Sequence, residues 1–313
     1  MRSHLRLASL VVLMVGLACA KPQESQPLIV FTAGSLARPL KAVLDSFARA
    51  DGATYQLESG GSLETARKLT ELGRIPDVIA LADVEVFPQV LAPRFVTWYA
   101  TFATNRMVIA KSPKARFGTE INGDNWWTVL QRPGVEVGRA DPDVDPAGYR
   151  TLLVFQLVER ETGQRGLAKS LESNSPKRNI RPKSAELTAL VQAGEFDYAW
   201  EYESVARAAG LDFVSLSPRV NLGSISDSLN YAAASLRVLG ASSRDTVTVH
   251  GAPIRYALSI PTAARNRKLA ERAVAFLASP TGAAILTREF LVRQDSLIFS
   301  GTDVPPSLRP APH

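Results

Sequence analysis

The stretch LIVFTAGSLARPLKAVLDSFARADGATYQLESGGSLETARKLTELGRIPDVIAL, residues 28–81, switches repeatedly between two hydrophobic periods. Leu28 to Thr32 is a short run of buried-strand character. Ala33-Gly34-Ser35 breaks it, and Leu36, Leu40, Val43, Leu44 and Phe47 then recur at the period of one helix face. Asp51-Gly52 ends that helix. Tyr55-Gln56-Leu57 is a second strand, Ser59-Gly60-Gly61-Ser62 turns into a helix through Leu63, Ala66, Leu69 and Leu72, and Gly73 stops it. Asp77 to Leu81 is a third strand. This βαβαβ order predicts an α/β fold with a mostly parallel, doubly wound sheet, because parallel neighbours need a crossover and the helices supply it.

The alternation returns further along. Gly134 to Gly138 reads as a strand, and Asp145-Pro146 opens a helix through Leu152, Phe155 and Val158. Glu186 to Val191 is helical and closed by Gly194, Phe196 to Tyr202 is a strand, and Ser204 to Ala209 is a helix ended by Gly210. Ile254 to Ile260 is a late strand, followed by amphipathic helices over Lys268–Leu277 and Pro280–Phe290. Two lobes joined by crossing strands accommodate this order better than two sequential domains. Crossings near Thr101–Ile109 and Ala252–Ser259 divide the chain into a first lobe, residues 28–105 plus 256–305, and a second, residues 106–255. Each is expected to be a mostly parallel sheet flanked by helices, with a ligand cleft between them. The proline-rich end, residues 306–313, is expected to be loose.

At 313 residues the chain has room for about two domains of roughly 100–200 residues each. Charged residues are 21% and hydrophobic residues 46%, which argues against disorder and against a multi-span membrane protein. The net charge of +6 is spread out, with no block of Lys and Arg, so nothing supports a nucleic-acid surface. The three histidines are His4, His250 and His313, which excludes a His-rich metal site. The single cysteine, Cys19, excludes an intrachain disulfide and a Cys-based zinc site.

Residues 1–18 have the build of a secretory signal: Arg2 and Arg6, then an apolar run from Leu7 to Ala18 that is too short to span a bilayer. Ala18-Cys19-Ala20 fits an A-x-A cleavage site. Gly16-Leu17-Ala18-Cys19 resembles a bacterial lipobox, which would make Cys19 the lipidated first residue, with residues 19–27 as a polar tether. The second reading is preferred, because the only cysteine falls at this spot. It implies an exported protein, periplasmic or on the outer face of the membrane, held there by lipid; a monomer is expected.

Four places could carry chemistry. Ala33-Gly34-Ser35 and Gly60-Gly61-Ser62 follow the first two strands, Asp145-Pro146-Ala147-Gly148 opens a helix in the middle section, and Tyr202 ends a strand. In an open α/β sheet, ligands bind outside the carboxyl ends of strands. Small residues there admit a ligand to the backbone, and helix N-termini aim unpaired N–H groups at it and favour an anion. Each also has a plainer use: Ser35, Ser62 and Asp145 are good N-caps, and a strand tyrosine packs. Together they suit a small oxyanion in a cleft. Asp141, Asp143 and Asp145 alternate as in a calcium loop, but Pro146 and Leu152 stand where that loop needs Gly and Glu. The G-x-S-x-G elbow of serine hydrolases is absent and His250 is the only internal base, so no enzyme is expected.

At these same residues the chain resembles the molybdate/tungstate-binding proteins of ABC importers, in particular the archaeal-type ModA/WtpA group. The matching stretches are FTAGSLARPL (31–40), ESGGSLETARKLTELGRIPDVIALAD (58–83), GRADPDVDPAGYRTL (138–152), RPKSAELTALVQAGEFDYAWEYESVA (181–206), NLG (221–223) and GAPIRYALSIP (251–261). The resemblance implies a two-lobed periplasmic-binding-protein fold that closes on a tetrahedral dianion, molybdate or tungstate, and hands it to a permease and its ATPase. It implies no cofactor. Ser35 and Ser62 would each give a hydroxyl and an N–H, Ala147 an N–H and Tyr202 its phenol, while Ser184 would face the anion from the other lobe. The group usually carries Glu where this chain has Ser184, and uses it with the Asp of DPxG to expand the metal's coordination. Tetrahedral binding by neutral donors is therefore expected. Asp145 would then cap its own helix, be protonated in the closed state, or touch the metal if its coordination expands. Arg38 and Arg150 either raise the local potential or simply pack and pair at the surface. Rival readings are a receptor for sulfate, phosphate or a small organic anion, and an extracytoplasmic anion sensor.

Overall fold

In the computed structural model, residues 26–309 are described; the signal, Cys19, most of the tether and the last four residues lie outside them. Along the chain the elements are β1 (Leu28–Ala33), α1 (Ala37–Asp51), β2 (Tyr55–Gly60), α2 (Ser62–Thr70), β3 (Val78–Leu81), β4 (Trp98–Thr104) and β5 (Met107–Lys111). Then come α3 (Trp126–Val129), β6 (Val137–Ala140), α4 (Pro146–Thr162), α5 (Leu167–Ser173), β7 (Ile180–Arg181), α6 (Ser184–Ala193), β8 (Tyr198–Tyr202), α7 (Glu203–Ala208) and β9 (Asp212–Ser215). The last are α8 (Ser228–Tyr231), β10 (Ser235–Leu239), β11 (Thr246–His250), β12 (Arg255–Ser259), α9 (Arg267–Ala278), α10 (Pro280–Arg288) and β13 (Val292–Gly301).

Two mixed sheets organise these elements. The first has the order β13-β4-β12-β3-β1-β2 and the second β7-β6-β8-β5-β9; β10 and β11 form a separate antiparallel hairpin. β1 pairs in parallel with β2 and β3, and β6 with β7 and β8. β12 and β13 in the first sheet, and β5 in the second, run against their neighbours. The reversed strands include β5 and β12, which carry the chain from one sheet to the other.

The helix periods do what their sequence dictates. Leu40, Val43, Leu44 and Phe47 of α1 are buried, and the helix ends where Gly52 adopts a left-handed conformation (φ 71°) and its N–H bonds to the Ala48 carbonyl. Phe47 meets Phe276 of α9 at 5.7 Å between ring centroids, fastening the early and late segments of one lobe together.

The strand expected over Gly134–Gly138 begins later, at Val137, because Gly134 (φ 82°) is spent on a turn. β13 had no counterpart in the sequence reading. It is a mostly exposed edge strand whose polar residues, in VRQDSLIFSG, hide the usual alternation. The chain end is docked further than expected: Pro306–Leu308 form a short turn against α9, Leu308 is buried, and Ser307 Oγ donates to Glu271.

Asn105 ties the crossings. Its amide donates to Ser204 Oγ (2.7 Å) and to Tyr256 Oη (2.8 Å), and its backbone N–H donates to Ile254 O. Met107 and Ile254 in turn donate to the carbonyls of Asn221 and Leu222. The chain thus passes between sheets at a pinned point.

Candidate functional site

Each predicted site residue stands at a strand end or helix start, as the small-residue junctions require, and all are buried. Ser35 lies in the short turn Gly34–Leu36 after β1. Ser62 is the first residue of α2; its Oγ accepts from Ala82 N (3.0 Å), which leaves its proton to donate. Ala147 sits in the first turn of α4, behind the cap Asp145. Ser184 opens α6, and Tyr202 closes β8.

One contiguous cluster joins them. Arg150 of α4 donates to Ala82 O (2.7 Å), the neighbour of the Ser62 hydroxyl, and to Tyr202 Oη (2.7 Å). The Tyr202 ring meets Tyr256 edge-on at 5.9 Å, and the Tyr256 hydroxyl interacts with that of Ser35. The Gly34–Leu36 turn packs on α6, whose Ser184 N–H donates to Asp145 Oδ2 (3.1 Å). Asp145 Oδ1 accepts from Ala147 N (2.9 Å).

Asp145 therefore caps its own helix and pins the start of α6 to the start of α4. Both its oxygens are engaged, and the Ala147 N–H expected to face an anion is held by this carboxylate. Burial raises the Asp145 pKa, while the two N–H donors and Arg150 pull it back. Among the described residues, no group of three or more His, Cys, Asp or Glu is arranged to hold a metal ion.

Arg150 corrects the plainer expectation of surface pairing. It is fully enclosed, 3.2 Å from Asp83 Oδ2, and Tyr149 Oη also donates to Asp83. Burial disfavours its charge, but Tyr202, Asp83 and Tyr149 outweigh that and hold the guanidinium protonated. Arg38, by contrast, is an exposed surface residue paired with Glu289 and with Ala208 O. His250 is exposed on the hairpin.

The lobes meet across this cluster. Glu64 N donates to Val144 O (3.4 Å) and Arg67 Nη2 to Asp143 O (2.6 Å). A Cβ at Gly61 would lie 2.2 Å from Val144 O, so only glycine allows this approach. The hairpin adds Thr70 Oγ1 to Ala241 O (2.7 Å) and Ser243 N to Glu71 Oε1 (2.6 Å). The arrangement is a closed cleft.

Inside it, Ser35 Oγ and Ser184 Oγ are buried without a hydrogen bond of good geometry, and so is Glu201 Oε2. Native interiors rarely leave such atoms unpaired, and a ligand is one thing that pairs them. Sequence reading passed over Glu201, Asp83 and Tyr256. The available signal for Glu201 was a carboxyl inside the otherwise apolar run YAWEY, every residue of which is buried.

Residues 28–291 match the family described as bacterial extracellular solute-binding proteins. The chain belongs to that family. An uncharacterized solute-binding protein of Petrotoga mobilis is 39% identical over 88% of this chain and 87% of its own length. The molybdate/tungstate-binding protein WtpA of Pyrococcus abyssi is 32% identical over 91% of each. Among solved structures, the periplasmic molybdate-binding protein of Azotobacter vinelandii superposes with a TM-score of 0.59 at 16% identity, over 85% of this chain and 98% of that one. These findings make the chain a solute-binding protein of the ModA/WtpA type with a two-lobed fold.

Proposed function

We propose that this solute-binding protein captures a tetrahedral metal oxyanion, molybdate or tungstate, between its lobes and passes it to an ABC permease and its ATPase. The observation that carries the reading is the buried set of donors supplied by both lobes: hydroxyls of Ser35 and Ser62 from one, Ser184 and Tyr202 from the other, with those of Ser35 and Ser184 lacking a hydrogen bond of good geometry. The WtpA relatives support the same ligand class.

A dianion entering a closed cleft loses its water shell and must regain hydrogen bonds. Neutral O–H donors do this without a counter-ion, and bonds to an ionised partner are the stronger kind. Arg150 contributes through Tyr202. Because the guanidinium occupies a phenol lone pair, the phenol proton is left to point elsewhere, toward an acceptor. Asp145 repels a dianion less for being held by two N–H groups. The chain performs no chemistry on its ligand. Selection against sulfate falls to cavity size, since these donors suit any tetrahedral dianion. Export, and a lipid tether at Cys19, belong to this reading.

Isothermal titration with molybdate, tungstate, sulfate and phosphate tests it. Heat with the first two and none with sulfate or phosphate is the expected result. Silence for both metal oxyanions, or an equal response to sulfate, overturns it.

A further inference from the structure

Glu201 is a fully buried carboxyl beside Ser184 and Tyr202 of the candidate site that the oxyanion reading does not use. Its Oε1 accepts from the backbone N–H of Tyr202 (2.8 Å), while Oε2 has no hydrogen-bond partner of good geometry. The Ser184 hydroxyl, which also lacks a hydrogen bond of good geometry, is its side-chain neighbour and is close enough to act on it. Around it stand Asp145 from the start of α4, Ser184 from α6, Tyr202 from its own strand and Tyr256 from β12. No cation faces it among these. The nearby guanidinium of Arg150 is already committed to Asp83 and Tyr202.

We propose that Glu201 serves the oxyanion site as a neutral carboxylic acid, giving its proton as a hydrogen bond toward Ser184 and the bound anion, so that capture is linked to one proton. The inference rests on the oxyanion reading. The atoms balance simply. Where Glu201 is ionised in the free protein, closure on a dianion takes up one proton from solvent onto Oε2, and release returns it. No bond other than O–H forms or breaks.

The physical reason is charge. An ionised Glu201 would add a further negative charge to a buried cluster that already holds Asp145 and receives a dianion. A protonated Glu201 instead turns an orphaned acceptor into a donor. Burial pushes the carboxyl up to about 8; the Tyr202 N–H pulls it down, Asp145 pushes it further up, and Ser184 pulls it down.

The test uses the full mature chain with molybdate, which stays a dianion across the range. The apparent affinity should be flat near neutral pH and weaken by roughly tenfold per pH unit between about pH 8 and 9.5, the limit for one linked proton. At pH 8.5 the heat of binding should change with the ionisation enthalpy of the buffer, in the direction of proton uptake. Glu201→Gln, whose carboxamide donates more weakly, should bind several-fold more weakly at pH 7 yet show no slope, and so bind more tightly than the natural chain above about pH 9. A flat profile in the natural chain, buffer-independent heat, or an unchanged slope in Glu201→Gln overturns the proposal. The buffer comparison needs no variant and decides the matter if Glu201→Gln does not fold. No heat at any pH overturns the oxyanion reading along with this one, whereas binding without proton linkage overturns only the role of Glu201.

Discussion

Two serines that look alike in sequence differ in what they already do. Ser62 Oγ is the acceptor for Ala82 N, whereas Ser35 Oγ makes no hydrogen bond of good geometry. Ser35→Ala should therefore leave the melting temperature of the empty protein unchanged or slightly higher, and still weaken molybdate binding. Ser62→Ala should lower both, because it strands a buried N–H at a cost of about 1–3 kcal/mol. Calorimetry of the empty proteins beside titration of each separates the cases, and equal losses of stability would contradict the assignment. Tyr202→Phe removes a donor and leaves Arg150 short of one partner, so molybdate affinity should fall by about 1–3 kcal/mol. Titration checks it, and unaltered affinity would remove Tyr202 from the site. These residues could be put forward from sequence because each sits at a junction with a local signature: Gly before Ser, or Tyr at the end of a strand. Glu201 and Asp83 had no such signature. Their importance comes from neighbours far off in the chain, as with Asp83 and Arg150.

Among the elements, β1 to β3 with α1 and α2 could be read directly, since each switch of period is written within a few residues. The β10–β11 hairpin was passed over, although Leu236 and Val238 in one strand and Val247 and Val249 in the other alternate with polar residues; its role lies in what it touches across the cleft. Arg67 of α2 donates to Gly240 O (3.4 Å) and to Asp143 O, and Thr70 donates to Ala241 O. The Arg67 side chain is partly desolvated, which lowers its pKa; Glu71, Asp143, Glu64 and Asp141 offset this only in part. Only the closed arrangement provides all these partners. Arg67→Met should then speed ligand release by about five- to tenfold while changing association little, since contacts made after encounter act mainly on dissociation. Stopped-flow release of molybdate is the measurement, and an effect confined to association would refute a part for Arg67 in holding the lobes together.

For the molecule as a whole, the lobes are joined covalently at the crossings that Asn105 ties together and non-covalently by contacts among which the buried ion pair of Asp83 with Arg150 carries charge. That carboxylate, placed just after β3, accepts from Tyr149 and pairs with Arg150 of the opposite lobe. At 3.2 Å and an effective dielectric constant near 20, the attraction is roughly 5 kcal/mol before desolvation is subtracted, and desolvation takes back much of it. Asp83 and Arg150 belong to opposite lobes, so parting the lobes separates the pair and should return the guanidinium to water. Asp83→Asn should accordingly tax the closed state alone: a buried guanidinium without its counter-charge costs about 3–5 kcal/mol. Molybdate affinity should drop by two orders of magnitude or more, while the melting temperature of the empty protein, free to open, moves by only a few degrees. Saturating molybdate should raise the melting temperature of the natural chain, by mass action worth about 2.7 kcal/mol at a hundredfold excess over Kd. At equal concentrations, Asp83→Asn should lose most of that gain. A large fall in the melting temperature of the empty variant with affinity intact would mean that the ion pair supports the fold and has no part in closure.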